Sequence, residues 1–379
     1  MEMSRETNEV VEKSTWESIA EAHARIVPRI HRTPVLRSAT LDALCGAELF
    51  FKCENLQKTG SFKIRGATNA IFSLTDAEAA RGIVTPSSGN HGAAVARAAA
   101  WRGVPAWIVM PKNAPAVKVR AVEAYGGKIT FCEPRISARN ETAARVQSET
   151  GAVLIHPYDD DRIIAGQATA AKELLEEVEA LDALLTPVSG GGLLSGSALS
   201  AKHMRPEIAV YGCEPAKADD AYQSLRTGKL HSLESSDTIA DGLRASLAAR
   251  TFAILQKHLS GIFLVSEEEI ISAMALIWER LKVITEPSSA IVLAPLLKRE
   301  VTESISSGVA RARRPRIGII LSGGNVDLSV LPFERHTSSV SQICGTLSTF
   351  GTSPSTGILA RIASSFQVVR LFVTVWRDG

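Results

Sequence analysis

Four segments of the chain hold residue types that could do chemistry. Ser189-Gly190-Gly191-Gly192-Leu193 follows an apolar run, 183–188, and precedes a helical pattern. Consecutive glycines at such a place let backbone N–H groups wrap an anion, and the helix dipole favours negative charge there. A phosphate is the natural guest, although a tight structural turn reads the same way. The loop is not a P-loop, because no Gly-Lys-Ser/Thr follows. It misses the dinucleotide fingerprint by one residue, since the third glycine is required at position 195, where Ser195 stands, and comes only at Gly196. In Ser61-Phe62-Lys63-Ile64-Arg65-Gly66 a lysine stands among apolar residues. Burial would lower its pKa and make it a nucleophile. On an exposed helix face it would only snorkel. Ser87-Ser88-Gly89-Asn90-His91-Gly92 offers hydroxyls, an amide and a supple backbone at a helix start, suited to a polar site or to an N-cap with its turn. His91 there reads as a packed or capping histidine and is given no catalytic part. The fourth segment, Ser322-Gly323-Gly324-Asn325, leaves the apolar run 317–321.

These loops need a frame to hold them. Residues 106–110, 128–132, 153–155, 183–188, 208–213 and 317–321 read as short buried strands. Helical patterns separate them: one with Pro115 near its start and Gly126 just past its end, one over 138–150 stopped by Gly151, one over 164–179 and one over 193–203. The βαβα rhythm predicts an α/β fold with largely parallel sheets. Ligands in such folds sit at the carboxyl ends of strands, where helix N-termini point their free N–H groups. Loops 87–92, 189–192 and 322–325 are therefore expected to converge on one site.

Bulk properties narrow the class. A chain of 379 residues, at roughly 150 per domain, suggests two domains or one with an appendage. It is 45% hydrophobic and 22% charged, which leaves ample material for a core. A net charge of +2 implies neither a nucleic-acid partner nor an anionic membrane. The five cysteines are scattered, without a C-x-x-C pair, so no disulfide framework or thiolate zinc site is indicated. Reduced thiols point to a cytoplasmic protein. Glu2, Glu6, Glu9 and Glu12 argue against a secretory leader or transit peptide, and no apolar stretch is long enough to span a bilayer. The region 336–357 is dense in Ser, Thr and Gly and reads as a linker. The stretch 358–376 turns apolar, with a strand suggested over 367–376. No function follows for the tail, 332–379.

Taken in order, S-x-K-x-R-G, S-S-G-N-H-G, the glycine loop and S-G-G-N resemble the β-family, or fold type II, of pyridoxal-phosphate enzymes. TPVL (33–36), FFKCE (50–54), QKTGSFKIRGA (57–67), EPAKADDAYQS (214–224), TIADGLR (238–244) and LSGGNVD (321–327) strengthen the likeness, which covers roughly residues 30–331. Within it the chain is similar to the serine racemase and serine/threonine dehydratase family, above all to plant and microbial racemases. The resemblance implies a tryptophan-synthase-β-like architecture of two open, twisted, mostly parallel sheets with flanking helices. It also implies a large cofactor-binding domain (1–76 and 159–331), a small mobile domain (77–158) and a homodimer.

Roles follow from the resemblance alone. Lys63 is implied to bond covalently to the cofactor aldehyde and then to act as base on one face of the substrate α-carbon, with Ser88 on the other face. Phe62 would pack beside the cofactor and Asn90 would meet its ring hydroxyl. Ser189, Gly190, Gly191, Gly192 and Leu193 would cradle the phosphate. Gly242 and Glu286 would lie near the ring, and Ser322 would face the pyridine nitrogen. Ser87, Ser88, Asn90, His91 and Arg139 would hold the substrate carboxylate. Glu214, Ala218 and Asp220 are implied to bind a divalent cation, Mg²⁺ or else Ca²⁺ or Mn²⁺, through oxygen alone. A solvated acidic loop is the plainer alternative. An ATP site is matched in part by Lys58, Thr59, Tyr125, Lys282 and Asn325, with Ala93 where animal racemases carry glutamine. Ser189 and Ala245 are two further departures, from a glycine and a serine respectively. The expected activity is racemisation of serine, or dehydration of serine and threonine to a keto acid and ammonia. The nearest alternative is dehydration of threo-3-hydroxyaspartate. From other classes, a nicotinamide oxidoreductase would use the glycine loop with Glu214 as its ribose-binding acid, but it leaves Lys63 unexplained; a catalytically dead binding protein would not need Lys63, Ser88 and the phosphate loop together.

Overall fold

The structure, a computed structural model, describes residues 15–87, 89–114, 116–233, 236–306, 313–328 and 331. Ser88, Pro115 and the tail readings over 336–376 lie outside the described residues.

Two sheets carry the fold. The first has six strands: β1 (Val35–Leu36), β2 (Glu48–Cys53), β7 (Ala183–Pro187), β8 (Ala209–Pro215), β9 (Gly261–Val265) and β10 (Arg316–Leu321), in the order β1-β2-β10-β7-β8-β9. Every pair is parallel except β1–β2. The second has four parallel strands, β3 (Ile83–Pro86), β4 (Ala106–Pro111), β5 (Lys128–Cys132) and β6 (Val153–Leu154), in the order β5-β4-β3-β6. The central strands are apolar end to end because helices cover both faces of a parallel sheet. In β10, Arg316-Ile-Gly-Ile-Ile-Leu321, every residue after the first is buried.

Apolar runs in the sequence found six of these ten strands, β4 to β8 and β10, with element ends displaced by up to three residues, and left β1, β2, β3 and β9 unread. The helix expected over 164–179 spans Asp161–Glu177, because the Asp160 side chain caps it by accepting from Arg162 N–H. The helix expected from 138 begins at Ile136. Helices Lys63–Phe72 and Asp161–Glu177 pack backbone to backbone: a Cβ on Gly166 would fall 2.6 Å from Gly66 Cα. No helix among the described residues is long and apolar enough to cross a membrane.

Candidate active site

Lys63 is the first residue of the Lys63–Phe72 helix. The approach to it is pinned to the exit of β10, for Phe62 N–H donates to Ser322 O at 3.0 Å and Ser61 bridges to Gly323. The lysine Nζ donates to Pro157 O at 3.1 Å and lies 5.1 Å from the Phe62 ring centroid. Crowding by protein atoms pushes its pKa down to about 8, against the opposing pull of Glu286. Glu286 is 5% exposed, and burial, then Asp241, pushes its carboxyl up to about 8. Lys63 is thus a crowded amine that holds its proton less tightly than a free lysine, with its Nζ turned to the Pro157 carbonyl.

The glycine loop leaves β7 and enters the Gly192–Met204 helix through Gly191, whose φ of +86° suits glycine. Side chains roof the loop. A Cβ on Gly190 would meet the Tyr158 ring at 2.3 Å, and one on Gly191 would meet Thr251 at 2.7 Å. Leu193 is buried in the first turn. A bare backbone at a helix N-terminus, in the turn that lacks intrahelical acceptors for its N–H groups, fits a phosphate. Ser189 Oγ donates to Ala245 O and accepts from Ala245 N, which leaves the loop's own backbone unobstructed.

Opposite lies the start of the Asn90–Arg102 helix. Ser87 Oγ accepts from Gly89 N at 3.3 Å and Gly92 N at 3.2 Å, so it serves as a cap as well as a polar lining group. Asn90 Nδ2 donates to Glu286 Oε1 at 2.8 Å, and Asn325 Nδ2 donates to Asn90 Oδ1 at 2.9 Å and to Thr59 O at 2.8 Å. Loops 87–92 and 322–325 therefore meet, as expected, with the Glu286 carboxylate between them. Gly242 N donates to Ser288 Oγ at 2.9 Å, close to Glu286 in sequence and space. Ser322, at the end of β10, is 3% exposed. His91 is buried and neutral: burial and the charge of Lys63 depress its pKa well below that of free histidine, and its Nε2 lies 3.4 Å from Ile155 O. Arg139, on the Ile136–Thr150 helix, keeps a buried Nε–H without a hydrogen-bond partner, a donor that suits a carboxylate guest.

Glu214 and Asp220 are 1% and 3% exposed. Glu214 accepts from Ala221 N at 2.9 Å and Tyr222 N at 2.8 Å, and Asp220 Oδ2 accepts from Leu247 N at 3.1 Å. Burial pushes Glu214 up to about 9 and Asp220 up to about 6, with neighbouring carboxylates adding to both. No Lys or Arg forms an ion pair with either among the described residues. Both acids are buried, so a solvated acidic loop does not describe them, and carboxylate and carbonyl oxygens are the donor type that a hard divalent cation takes.

Sequence reasoning missed the segment His156-Pro157-Tyr158. The Tyr158 ring stands edge-on to His156 with centroids 4.7 Å apart and covers Gly190, while Pro157 supplies the carbonyl that meets Lys63. His156 Nδ1 accepts from Asp159 N at 2.9 Å. Its position just past strand β6 was the available signal, since that is where parallel sheets place ligands. Also missed was an ion pair between Lys118, on the Ala116–Ala124 helix of the four-stranded sheet, and Asp241, beside Gly242.

Residues 26–323 match the family described as pyridoxal-phosphate dependent enzyme. The chain is 48% identical over 319 residues to a beta-hydroxyaspartate dehydratase of Paracoccus denitrificans (strain Pd 1222), covering 84% of this chain and 98% of that protein. It is 52% identical over 314 residues to a serine racemase of Oryza sativa subsp. indica, covering 83% and 91%. The solved structure of maize serine racemase superposes with a TM-score of 0.80 at 50% identity, covering 83% of this chain and 94% of that one. The match leaves the nicotinamide alternative without support. The family match over residues 26–323, with a crowded Lys63 amine and a glycine-lined helix N-terminus in this fold, makes the chain a member of the fold type II pyridoxal-phosphate-dependent enzymes.

Proposed function

We propose that the protein racemises serine and dehydrates serine and threonine at the site around Lys63. The observation that supports this reading is the Lys63 amine, crowded by protein atoms and donating to the Pro157 carbonyl, on a backbone pinned at Phe62 to the β10 exit. When bound, pyridoxal phosphate supplies an electron sink that acidifies the α-C–H bond of an amino acid. Ser189 to Leu193 would hold its phosphate, Phe62 would flank it, and Asn90, Gly242, Glu286 and Ser322 would line the place of its ring. Arg139, Ser87, Asn90 and the neutral His91 bind the substrate carboxylate, the guanidinium by two parallel hydrogen bonds. Lys63, neutral in a useful fraction near pH 8, takes the α-proton from one face. Ser88 delivers or removes it at the other, so the same pair serves racemisation and loss of the β-hydroxyl. The four-stranded sheet, within residues 77–158, closes on the substrate and excludes water.

Glu214, Ala218 and Asp220 hold Mg²⁺ in this reading, with Ca²⁺ or Mn²⁺ as substitutes. ATP regulates at Lys58, Thr59, Tyr125, Lys282 and Asn325. The chain works as a cytoplasmic homodimer; the buried free thiols of Cys45, Cys53, Cys132 and Cys213 among the described residues, and the exposed Leu56 and Ile284 on segments joined by the Asn55–Ile284 hydrogen bond, support this. The second reading, dehydration of threo-3-hydroxyaspartate, is favoured by the 48% identical Paracoccus relative. Turnover of L-serine, D-serine, L-threonine and threo-3-hydroxyaspartate, measured side by side, separates the two. Lys63→Ala tests both: visible absorbance of the bound cofactor and all turnover should vanish, and a yellow, active variant sinks the proposal.

A further inference from the structure

Arg65 stands two residues beyond Lys63 and is fully buried. Its guanidinium forks onto Glu54 through Nε at 2.7 Å and Nη2 at 2.8 Å, and onto Glu173 through Nη1 at 2.9 Å and Nη2 at 2.8 Å. Thr169 Oγ1 accepts from Nη1 at 3.1 Å. Lys52, buried in the middle of the sheet on β2, donates to Glu173 at 2.7 Å and to Thr33 O at 2.8 Å, and Thr33 Oγ1 donates to Glu54 at 2.5 Å. Two cations and two carboxylates thus form a buried, charge-balanced cluster, with His23 Nε2 3.4 Å from Glu173 Oε1 at its edge. It ties together β2, the turn after it, the Asp161–Glu177 helix and the first turn of the helix that Lys63 begins.

Such a cluster is a poor device for stability, because desolvation cancels most of the Coulomb gain and apolar packing does as well. What it supplies is direction. A planar guanidinium bound on both edges tolerates little rotation. Residues two apart on a helix point about 200° apart, so a fork held on one side of the Lys63–Phe72 helix fixes the opposite side. The Gly66–Gly166 contact prevents the helix from retreating or sliding.

We propose that Arg65, clamped by Glu54 and Glu173, is a positioning residue that sets where the Lys63 amine stands relative to the cofactor and the substrate α-carbon. This rests on the assignment of Lys63 above. Arg65→Lys keeps the charge and loses the fork. In the holoenzyme its visible-region circular dichroism, which reads the seating of the cofactor on the lysine, should fall by at least half. Its kcat should drop at least tenfold with KM within threefold, because the carboxylate-binding groups lie on other elements. Leu175→Ala, a buried change in the Asp161–Glu177 helix, serves as the control of comparable instability; it should lower Tm and leave both signals near wild type. Arg65→Lys with a lowered Tm but wild-type dichroism and kcat overturns the proposal. Should Arg65→Lys fail to fold, Thr169→Val removes one of the guanidinium bonds and should move both signals in the same sense; unchanged signals there also overturn it. A wild-type chain with no visible band counts instead against the assignment of Lys63. The pH dependence of Lys63 acylation by acetic anhydride, read by mass spectrometry, then judges Arg65 alone, with a midpoint equal in wild type and Arg65→Lys overturning the proposal and a moved midpoint supporting it.

Discussion

The Ser189 hydroxyl and the Ala245 backbone exchange two hydrogen bonds, each 3.1 Å long. The first residue of the glycine loop is thereby fastened to the strand of chain that also carries Gly242. Two residues on, Leu247 N–H donates to Asp220. The proposed phosphate cradle and the proposed cation site share one short segment, 245–247, as a common wall.

Ser189→Gly should test that wall. It removes both bonds, a loss of about 1 kcal/mol each, and gives the loop more freedom to lose on binding. We expect a Tm lower by a few degrees and an affinity for pyridoxal phosphate several-fold weaker by fluorescence titration. An unchanged affinity would mean that the hydroxyl has no part in shaping the cradle.

Cation removal should act on the other side. Glu214 and Asp220 can stay ionised together only beside a counter-charge. Chelator should lower Tm, and Mg²⁺ or Ca²⁺ should restore it by binding the folded state. Glu214→Gln, which removes one buried charge, should make Tm insensitive to both treatments. A wild type already indifferent to chelator and to both ions would refute the site.

The pH dependence of the lysine carries a definite sign. Cofactor capture by the stripped protein requires the neutral amine, so its rate should rise with pH through about 8. The Glu286 charge holds the Lys63 pKa up. Glu286→Gln should therefore move the inflection downward. An inflection that stays put or climbs would show that the carboxylate does not act on the amine.

Ser88→Ala separates the two faces of the α-carbon. The variant should keep its visible band and dehydrate L-serine, since the Lys63 face suffices for that proton. Racemisation in both directions and dehydration of D-serine should fall by ~10²-fold or more, as for a lost acid–base group. Production of D-serine and pyruvate from each enantiomer measures this. Equal loss of both activities with cofactor bound would make Ser88 a binding residue only.

The sequence disclosed what is local. A glycine run after an apolar run, or a lysine amid apolar neighbours, implies a loop or a buried amine whatever the rest of the chain does. It was silent where partners are remote. Glu173 lies 108 positions from Arg65 and Ala245 lies 56 from Ser189, and neither spacing has a period. Lys52 drew no reading at all within Phe50-Phe51-Lys52-Cys53, yet it is fully buried. Tyr158 escaped notice because its task depends on Gly190 having no side chain, a complementarity visible only once the two are adjacent.

Ionic strength distinguishes two kinds of charge in this molecule. The Lys118–Asp241 pair, with side chains 23% and 38% exposed, spans the two sheets within reach of salt. The Debye length shrinks from about 30 Å at 0.01 M to about 3 Å at 1 M, and that pair weakens accordingly. The cluster around Arg65 is buried away from mobile ions and pairs its two cations with two carboxylates. Added salt thus becomes a selective instrument. It should loosen the approach of the four-stranded sheet, seen as a rising KM, while the dichroism of the cofactor on Lys63 stays constant.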